Sequence, residues 1–121
     1  MKILILGADG YLGWSMTTSL ADDGHELILV DNYSKRKHME DLKRSPLCKM
    51  SLIPKRLKDL TNKNKKIKFY KIDCTNYKKI KNLINKYKPD AIIHFAELPS
   101  APFSMLNNQY GWETLQNNLQ S

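Results

Sequence analysis

Three glycines within one heptapeptide limit the possible fold of this chain more than any other feature. The sequence Gly7-Ala-Asp-Gly-Tyr-Leu-Gly13 directly follows the apolar run Lys2–Leu6. It overlaps the start of a segment with helical spacing, residues 11–23, that ends at Gly24. A strand, a G-x-x-G-x-x-G turn and a helix in this order are typical of the first unit of a doubly wound α/β domain.

Further apolar strands alternate with helices along the rest of the chain, and no repeat is present. Continuous apolar strands that alternate with helices indicate a parallel sheet covered on both faces. We therefore predict the N-terminal portion, about four strands, of an α/β Rossmann-type doubly wound parallel sheet. Residues 1–121 would form one truncated NAD(P)-binding domain, in which 35–65 is a surface excursion between strands two and three. The predicted strands are Lys2–Leu6, Glu26–Val30, Ile67–Ile72 and Ala91–Phe95, and the later helices begin at Thr75 or Asn76 and near Phe103.

Helical spacing supports two of the predicted helices. Apolar residues that recur every three or four positions lie on one face of a helix. Leu12, Met16 and Leu20 recur at a spacing of four along the first helix, and Ile80, Leu83, Ile84 and Tyr87 share one face of the helix after strand three.

The three glycines have different expected roles. Gly7 permits the tight turn, Gly10 lets a pyrophosphate approach the backbone, and Gly13 lets the helix pack closely on the strand. The phosphates would lie at the positive end of the helix. Asp31, eighteen residues after Gly13, ends strand two, where a carboxylate accepts hydrogen bonds from an adenosine ribose. An ordinary strand-end residue is the alternative for Asp31, but the whole unit favours dinucleotide binding.

Three segments carry a resemblance to a known family. The spacing of two residues between the first and second glycines resembles that of the extended short-chain dehydrogenase/reductase (NAD-dependent epimerase/dehydratase) family, whose members act on nucleotide sugars. The segments GADGYLGW, VDNYSKR and HFAELPSAPFSM together resemble the UDP-sulfoquinovose synthase branch of that family. The resemblance covers essentially all 121 residues, and its third segment is the most specific.

The resemblance implies NAD as cofactor and a nucleotide sugar, UDP-glucose in that branch, as substrate. It places Asp73 against the adenine, 95–97 beside the nicotinamide half and 100–105 against the sugar nucleotide. The implied cofactor-binding residues are Gly7, Asp9, Gly10, Tyr11, Leu12, Gly13, Asp31, Asn32, Arg36, Asp73, Cys74, Phe95, Ala96 and Glu97, and the implied substrate-binding residues are Ser100, Met105 and Asn118.

The family's reaction oxidises the sugar at C4 by hydride transfer to NAD, with a tyrosinate of a Tyr-x-x-x-Lys motif as base. The two matches in this chain, Tyr33–Lys37 and Tyr77–Lys81, are interpreted as chance matches in a lysine-rich sequence. The chain ends before the catalytic strand and helix of the family, so we expect no catalytic residue in it, and a homodimeric full-length form.

Other functions stay open at this stage. A 4-epimerase or 4,6-dehydratase of the same family would share the cofactor half, and a non-catalytic nucleotide-binding module is a further alternative. The branch usually has Gln-Arg where this chain has Leu98-Pro99, so a polar group and a cation near the substrate are missing.

Composition bears on partners and location. The net charge is +8, and nineteen of the twenty Lys and Arg lie between Lys35 and Lys88. Few of them are Arg and aromatic residues are sparse, which favours solvated helix faces over nucleic-acid binding. No apolar run is long enough to span a membrane. Cys48 and Cys74 lack metal-ligand spacing, so we expect reduced thiols, no metal site and a cytoplasmic protein.

Overall fold

The computed structural model describes residues 1–46, 50–63, 66–98 and 101–121, with the backbone alone at 62–63 and 101–102. The described residues form four strands and six helices. The order is β1 (Lys2–Leu6), α1 (Tyr11–Asp22), β2 (Glu26–Asp31), α2 (Ser34–Asp41), α3 (Ile53–Lys63), β3 (Ile67–Lys71), α4 (Tyr77–Tyr87), β4 (Ala91–His94), α5 (Ala101–Ser104) and α6 (Asn108–Gln120).

The four strands form one parallel sheet in the order β3-β2-β1-β4. Strand β1 pairs on both sides, so that Leu4 lies opposite Ile28 of β2 and Ile92 of β4. Because all strands run the same way, their carboxyl ends meet at one edge of the sheet, where the glycine turn also lies. The predicted doubly wound α/β class is confirmed.

Each face of the sheet has its own core, as the twofold alternation of side chains along a strand requires. Ile3, Ile5, Leu27 and Leu29 are buried on the face that α1 and α3 cover. Leu4, Leu6, Ile28 and Val30 are buried on the face that α4 covers. Of the predicted α4 face, Leu83 and Tyr87 are buried, and Ile80 and Ile84 pack against the same cluster.

Helix α1 packs on the sheet through its small residues. The buried residues are Gly13, Thr17 and Ala21, and Leu20 packs against the core, whereas Leu12 is 58% exposed and Met16 is also exposed. Small side chains let the helix axis approach the sheet, and the Thr17 hydroxyl donates a hydrogen bond to the carbonyl oxygen of Gly13 at 2.7 Å. Close packing through small residues therefore outweighs the spacing of the large apolar ones.

The excursion between β2 and β3 is not only a surface feature. Ile53 and Leu57 of α3 are buried in the same core cluster as Ile5 and Leu29. Helix α3 therefore covers part of the sheet. Cys48 and residues 64–65 lie outside the described residues.

Candidate dinucleotide site

The turn after β1 depends on the absence of side chains at two glycines. Gly7 has φ +80° and donates its N–H to the carbonyl oxygen of Val30 at 2.8 Å. A Cβ on Gly7 would lie 2.5 Å from the carbonyl carbon of Phe95, and one on Gly13 would lie 2.9 Å from the Cα of Ala8. Both glycines are therefore required by contacts within the protein.

Gly10 differs from its two neighbours in the motif. Its φ of −65° suits any L-residue, and an added Cβ would meet only the Gly7 carbonyl oxygen, at an ordinary 3.4 Å. The described protein atoms therefore do not explain this glycine. A group that approaches the backbone from outside would.

The N-terminus of α1 is open to an anion. Gly10 is its N-cap and supplies no side-chain hydrogen bond, so the first backbone N–H groups, at Tyr11, Leu12 and Gly13, have no intrahelical acceptor. The side chain of Tyr11 is 78% exposed and does not cover this helix end. Trp14 does pack against the core. The helix end therefore presents backbone donors and a positive dipole.

Asp31 organises the end of β2. Its Oδ2 accepts the backbone N–H of Asp9 at 2.8 Å, and its Oδ1 accepts the backbone N–H of Tyr33 at 2.7 Å. Burial raises the pKa of Asp31 above its ordinary value, against the opposing effect of these two bonds. The carboxylate is thus fixed beside the glycine turn.

The side chain of Asp9 lies between two arginines. Arg36 of α2 makes a bidentate pair with it, Nε to Oδ2 at 2.6 Å and Nη2 to Oδ1 at 2.9 Å. Arg56 of α3 donates its Nη2 to the same Oδ1, and its guanidinium carbon lies 4.0 Å from the ring centroid of Trp14. Arg36 therefore reaches the glycine turn from helix α2.

A second group of polar residues lies where β3 ends. Asn32 donates its amide Nδ2 to Asp73 at 2.9 Å, and the Thr75 backbone N–H and hydroxyl donate to the same carboxylate. Burial acts to raise the pKa of Asp73, but these donors outweigh it and hold the pKa below its ordinary value. Burial, with smaller contributions from Asp31 and Asp73, raises the pKa of the Cys74 thiol to about 12, so this side chain is a neutral core group.

A cavity of about 260 Å³ lies between these residues and α6. Asn32 and Asp73 line one wall, and Glu113 and Asn117 line the other. His38 of α2 closes one side, since its Nε2 lies 3.3 Å from the Oε2 of Glu113.

The segment after β4 is held by α6. Asn117 donates its Nδ2 to the carbonyl oxygen of Ala96 at 2.9 Å, and Asn118 bonds both the N–H and the carbonyl of Leu98. Phe95 packs against the core, Glu97 is exposed, and Met105 is exposed beyond α5. Ser100 and Pro99 lie outside the described residues.

The structure thus brings the predicted residues into three groups. Asp9, Asp31 and Arg36 meet beside the glycine turn, Asn32 meets Asp73, and the backbone after β4 meets both Gly7 and Asn118. Sequence reasoning missed Arg56. The apolar spacing of Ile53, Leu57 and Leu60 could have indicated helix α3 and placed Arg56 beside its buried face.

The two Tyr-x-x-x-Lys matches differ from a catalytic pair in their surroundings. Burial raises the pKa of Tyr33, the reverse of what a tyrosinate base needs. Tyr77 is exposed on α4, where Lys81 lies over its ring.

Among the described residues, no group of three or more His, Cys, Asp or Glu side chains is arranged to hold a metal ion. None of the helices in that part of the chain has the length and apolar character needed to cross a membrane.

Comparisons with known proteins identify the family of this chain. The family model described as NAD dependent epimerase/dehydratase family matches residues 3–120. The chain is 40% identical over 119 residues to UDP-sulfoquinovose synthase of Sulfolobus acidocaldarius, and the aligned region covers 98% of this chain and 30% of that protein. It is 28% identical over 121 residues to the chloroplastic UDP-sulfoquinovose synthase of Spinacia oleracea, at 98% and 25% coverage. The chain therefore spans less than a third of the length of these relatives.

Solved structures show the same fold. UDP-glucose 4-epimerase of Bifidobacterium longum, solved with NAD⁺ and UDP, superposes with a TM-score of 0.72 at 22% identity, over 99% of this chain and 30% of that one. The UDP-Glc/GlcNAc 4-epimerase of Campylobacter jejuni superposes with a TM-score of 0.65 at 28% identity, over 93% and 29%.

Proposed function

The chain belongs to the NAD dependent epimerase/dehydratase family, as its sequence predicted, and on that premise we propose that it is the NAD-binding portion of a nucleotide-sugar-modifying enzyme. The family's dependence on NAD agrees with the cofactor predicted from the sequence. The assignment of individual residues and of the reaction is our proposal.

One observation carries the proposal: the uncapped glycine end of α1 lies at the same sheet edge as the ordered carboxylates of Asp31 and Asp73. Free backbone donors suit a pyrophosphate, and a fixed carboxylate at the end of β2 suits a ribose. The open position at Gly10 supports this fit, because its missing side chain leaves room for the phosphates.

The proposed contacts follow the three groups. Gly10, Tyr11, Leu12 and Gly13 would hold the pyrophosphate through their backbone. The remaining cofactor contacts would be Asp31 and Asn32 with the ribose, Asp73 and Cys74 with the adenine, and Phe95, Ala96 and Glu97 with the nicotinamide half. Ser100, Met105 and Asn118 would face the substrate. When bound, the nicotinamide supplies a hydride acceptor, and the base would come from residues outside this chain.

We favour a reaction of the UDP-sulfoquinovose synthase type, UDP-glucose plus sulfite with oxidation at C4. The 40% identity to the Sulfolobus protein supports it. UDP-glucose 4-epimerases are also similar, at 31% identity over 98 residues for the Neisseria meningitidis enzyme, and keep 4-epimerisation as the alternative. We further propose a homodimeric, cytoplasmic full-length enzyme that binds neither nucleic acid nor membranes.

The test uses the full-length product of the gene that encodes this chain. Calorimetric titration should show NAD binding, and incubation with UDP-glucose and sulfite should yield UDP-sulfoquinovose by mass spectrometry. Conversion of UDP-glucose to UDP-galactose without a need for sulfite would instead identify a 4-epimerase. NAD binding with neither conversion would favour a non-catalytic module, and absence of NAD binding would contradict the proposal as a whole.

A further inference from the structure

The contacts of Asp9 bear on whether the site prefers NAD or NADP. Two guanidinium groups contact the carboxylate of Asp9, whose backbone N–H donates to the Asp31 carboxylate proposed to hold the ribose. A 2′-phosphate on that ribose would be attracted to these guanidinium groups. A nearby arginine is the usual means by which a Rossmann domain accommodates NADP. A site with two arginines could therefore be expected to accept NADP.

The arginines are not free to do this, because Asp9 occupies them. All three guanidinium nitrogens of Arg36 already donate. Nε and Nη2 donate to Asp9, and Nη1 and Nη2 donate to the carbonyl oxygens of Met50 and Ser51, at 2.8 and 3.1 Å. A bidentate pair of this kind fixes the plane of the guanidinium as well as its position. Hydrogen bonding to Asp9 raises the pKa of Arg36 further above its ordinary value.

Arg56 is held on the other side of Asp9 by a different set of contacts. It donates to Asp9, stacks on Trp14, and has a side chain that is only 11% exposed. Its Nε and Nη1 are buried without a partner among the described residues. These are two unused donors that an anion could bind if the guanidinium were released.

We infer that Asp9 is a specificity-determining residue that acts through Arg36 and Arg56: by occupying both guanidinium groups, it withholds them from the 2′-phosphate of NADP. The inference rests on the proposed function. It assigns to a residue of the glycine loop a role other than touching the cofactor.

The net charge around Asp9 determines which cofactor a change at Asp9 should favour. The cluster holds two carboxylates, Asp9 and Asp31, and two guanidiniums, Arg36 and Arg56, so it carries no net charge. Neutralising Asp9 leaves a net charge of +1 and two guanidiniums without their main partner. A phosphate monoester carries close to two negative charges above pH 7, whereas the ribose hydroxyl of NAD carries none. Loss of the Asp9 charge should therefore favour NADP over NAD.

A purely structural role for Asp9 predicts a different result. If the carboxylate only joins the glycine loop to α2 and α3, its loss loosens the site and weakens both nucleotides together. The ratio of their dissociation constants separates the two cases, since both are measured on the same folded protein.

The experiment compares Asp9→Asn with Asp41→Asn, which removes an exposed carboxylate from the same helix as Arg36. Calorimetry of NAD and NADP at pH 8, on the full-length gene product, gives the ratio of the NADP to the NAD dissociation constant. We expect this ratio to fall by about tenfold or more in Asp9→Asn, as one unit of charge near a doubly charged phosphate implies. It should stay unchanged in Asp41→Asn, and the double variant Asp9→Asn/Arg36→Met should reverse the fall.

The outcomes separate this inference from the proposed function. An unchanged ratio in a folded Asp9→Asn protein that still binds NAD overturns the inference alone. A parent protein that binds neither nucleotide overturns both. If Asp9→Asn does not fold, Arg56→Met replaces it: with Asp9 less neutralised, the ratio should rise several-fold, and an unchanged ratio overturns the inference.

Discussion

Alanine substitutions at Gly10 and at Gly13 of the glycine turn should have different effects. Gly10→Ala should leave the fold intact, because its φ is ordinary and its Cβ meets only one atom at 3.4 Å, yet weaken NAD binding by about tenfold or more. Gly13→Ala should lower the free energy of unfolding, since its Cβ would overlap the backbone of Gly7 and Ala8. Thermal melting and calorimetry measure the two effects. A Gly10→Ala protein with unaltered NAD affinity would contradict the proposed phosphate position.

Asp31 itself should set the basic preference for NAD. Its carboxylate is fixed by the N–H groups of Asp9 and Tyr33, so a 2′-phosphate would meet a negative charge that cannot turn away. We expect NAD to bind more tightly than NADP by roughly 1–3 kcal/mol, the usual cost of an unmatched buried polar contact. Asp31→Ala should narrow this gap in calorimetric titrations of the full-length gene product. Equal affinities in the unmutated protein would remove the assignment of Asp31.

The Cys74 thiol should be nearly inert to alkylation. Burial raises its pKa to about 12, so the reactive thiolate is scarce at pH 8 in the folded protein. The folded pKa lies above the ordinary value of 9.0, so the stability contributed by the neutral thiol is complete below pH 9 and is lost as the pH rises towards 12. With Cys48→Ser as background, iodoacetamide labelling at pH 8 should be at least about a hundredfold slower than in urea. Equal rates would show that the thiol is not buried.

Only some residues of the site could be predicted from the sequence. The glycines and Asp31 stand at fixed distances along the chain, so their positions could be predicted from one strand–turn–helix unit. The pairing of Arg56 with Asp9 could not be predicted, because the two residues are forty-seven positions apart and lie on separate elements.

At the scale of elements, α3 is the largest departure from the sequence-based picture. Ile53→Ala should lower the free energy of unfolding by about 2–4 kcal/mol, because the isoleucine is fully buried against the sheet and its loss leaves a cavity. Leu52→Ala is the matched control, since Leu52 is 51% exposed, and should cost less than about 1 kcal/mol. Urea denaturation measures both. Similar small losses would mean that α3 lies on the surface after all.

The strands and α4 were predictable because their apolar patterns are long and regular. Strand β1 has the predicted bounds, and the observed ends of β2, β3 and β4 differ from the predicted ones by one residue. Helix α1 was predicted at the right place, but the residues that it buries, Gly13, Thr17 and Ala21, carry little hydrophobic signal. Close approach of backbones is a property of the packed pair, which a one-dimensional pattern does not contain.

At the scale of the whole molecule, parallel topology explains why the candidate site is where it is. The order β3-β2-β1-β4 brings the ends of β1, β2 and β3 side by side, although the residues that follow them are separated along the chain. Gly7, Asp31 and Asp73 therefore lie at one edge of the sheet although they are far apart along the chain. Helix α6 closes this edge through Asn117 and Glu113.

The same topology predicts how a polypeptide of these 121 residues behaves on its own. Among the described residues β4 pairs with β1 on one side only, and its Ile92 is 50% exposed. Trp112, Leu115 and Leu119 of α6 are also exposed. An unpaired edge and an apolar surface favour association with other chains. Sedimentation velocity should therefore show concentration-dependent oligomers or aggregates.

A charge on the edge strand should reduce this association. Ile92→Lys places a cation where another strand would pair, which is how natural edge strands avoid such contacts. Lys81→Arg, which preserves charge on a distant part of α4, is the matched control and should behave like the parent. A parent polypeptide that sediments as a monomer and melts in one sharp transition would contradict the prediction. Equal association of the parent and Ile92→Lys would instead place the contact on α6, where Leu119→Lys should then disrupt it.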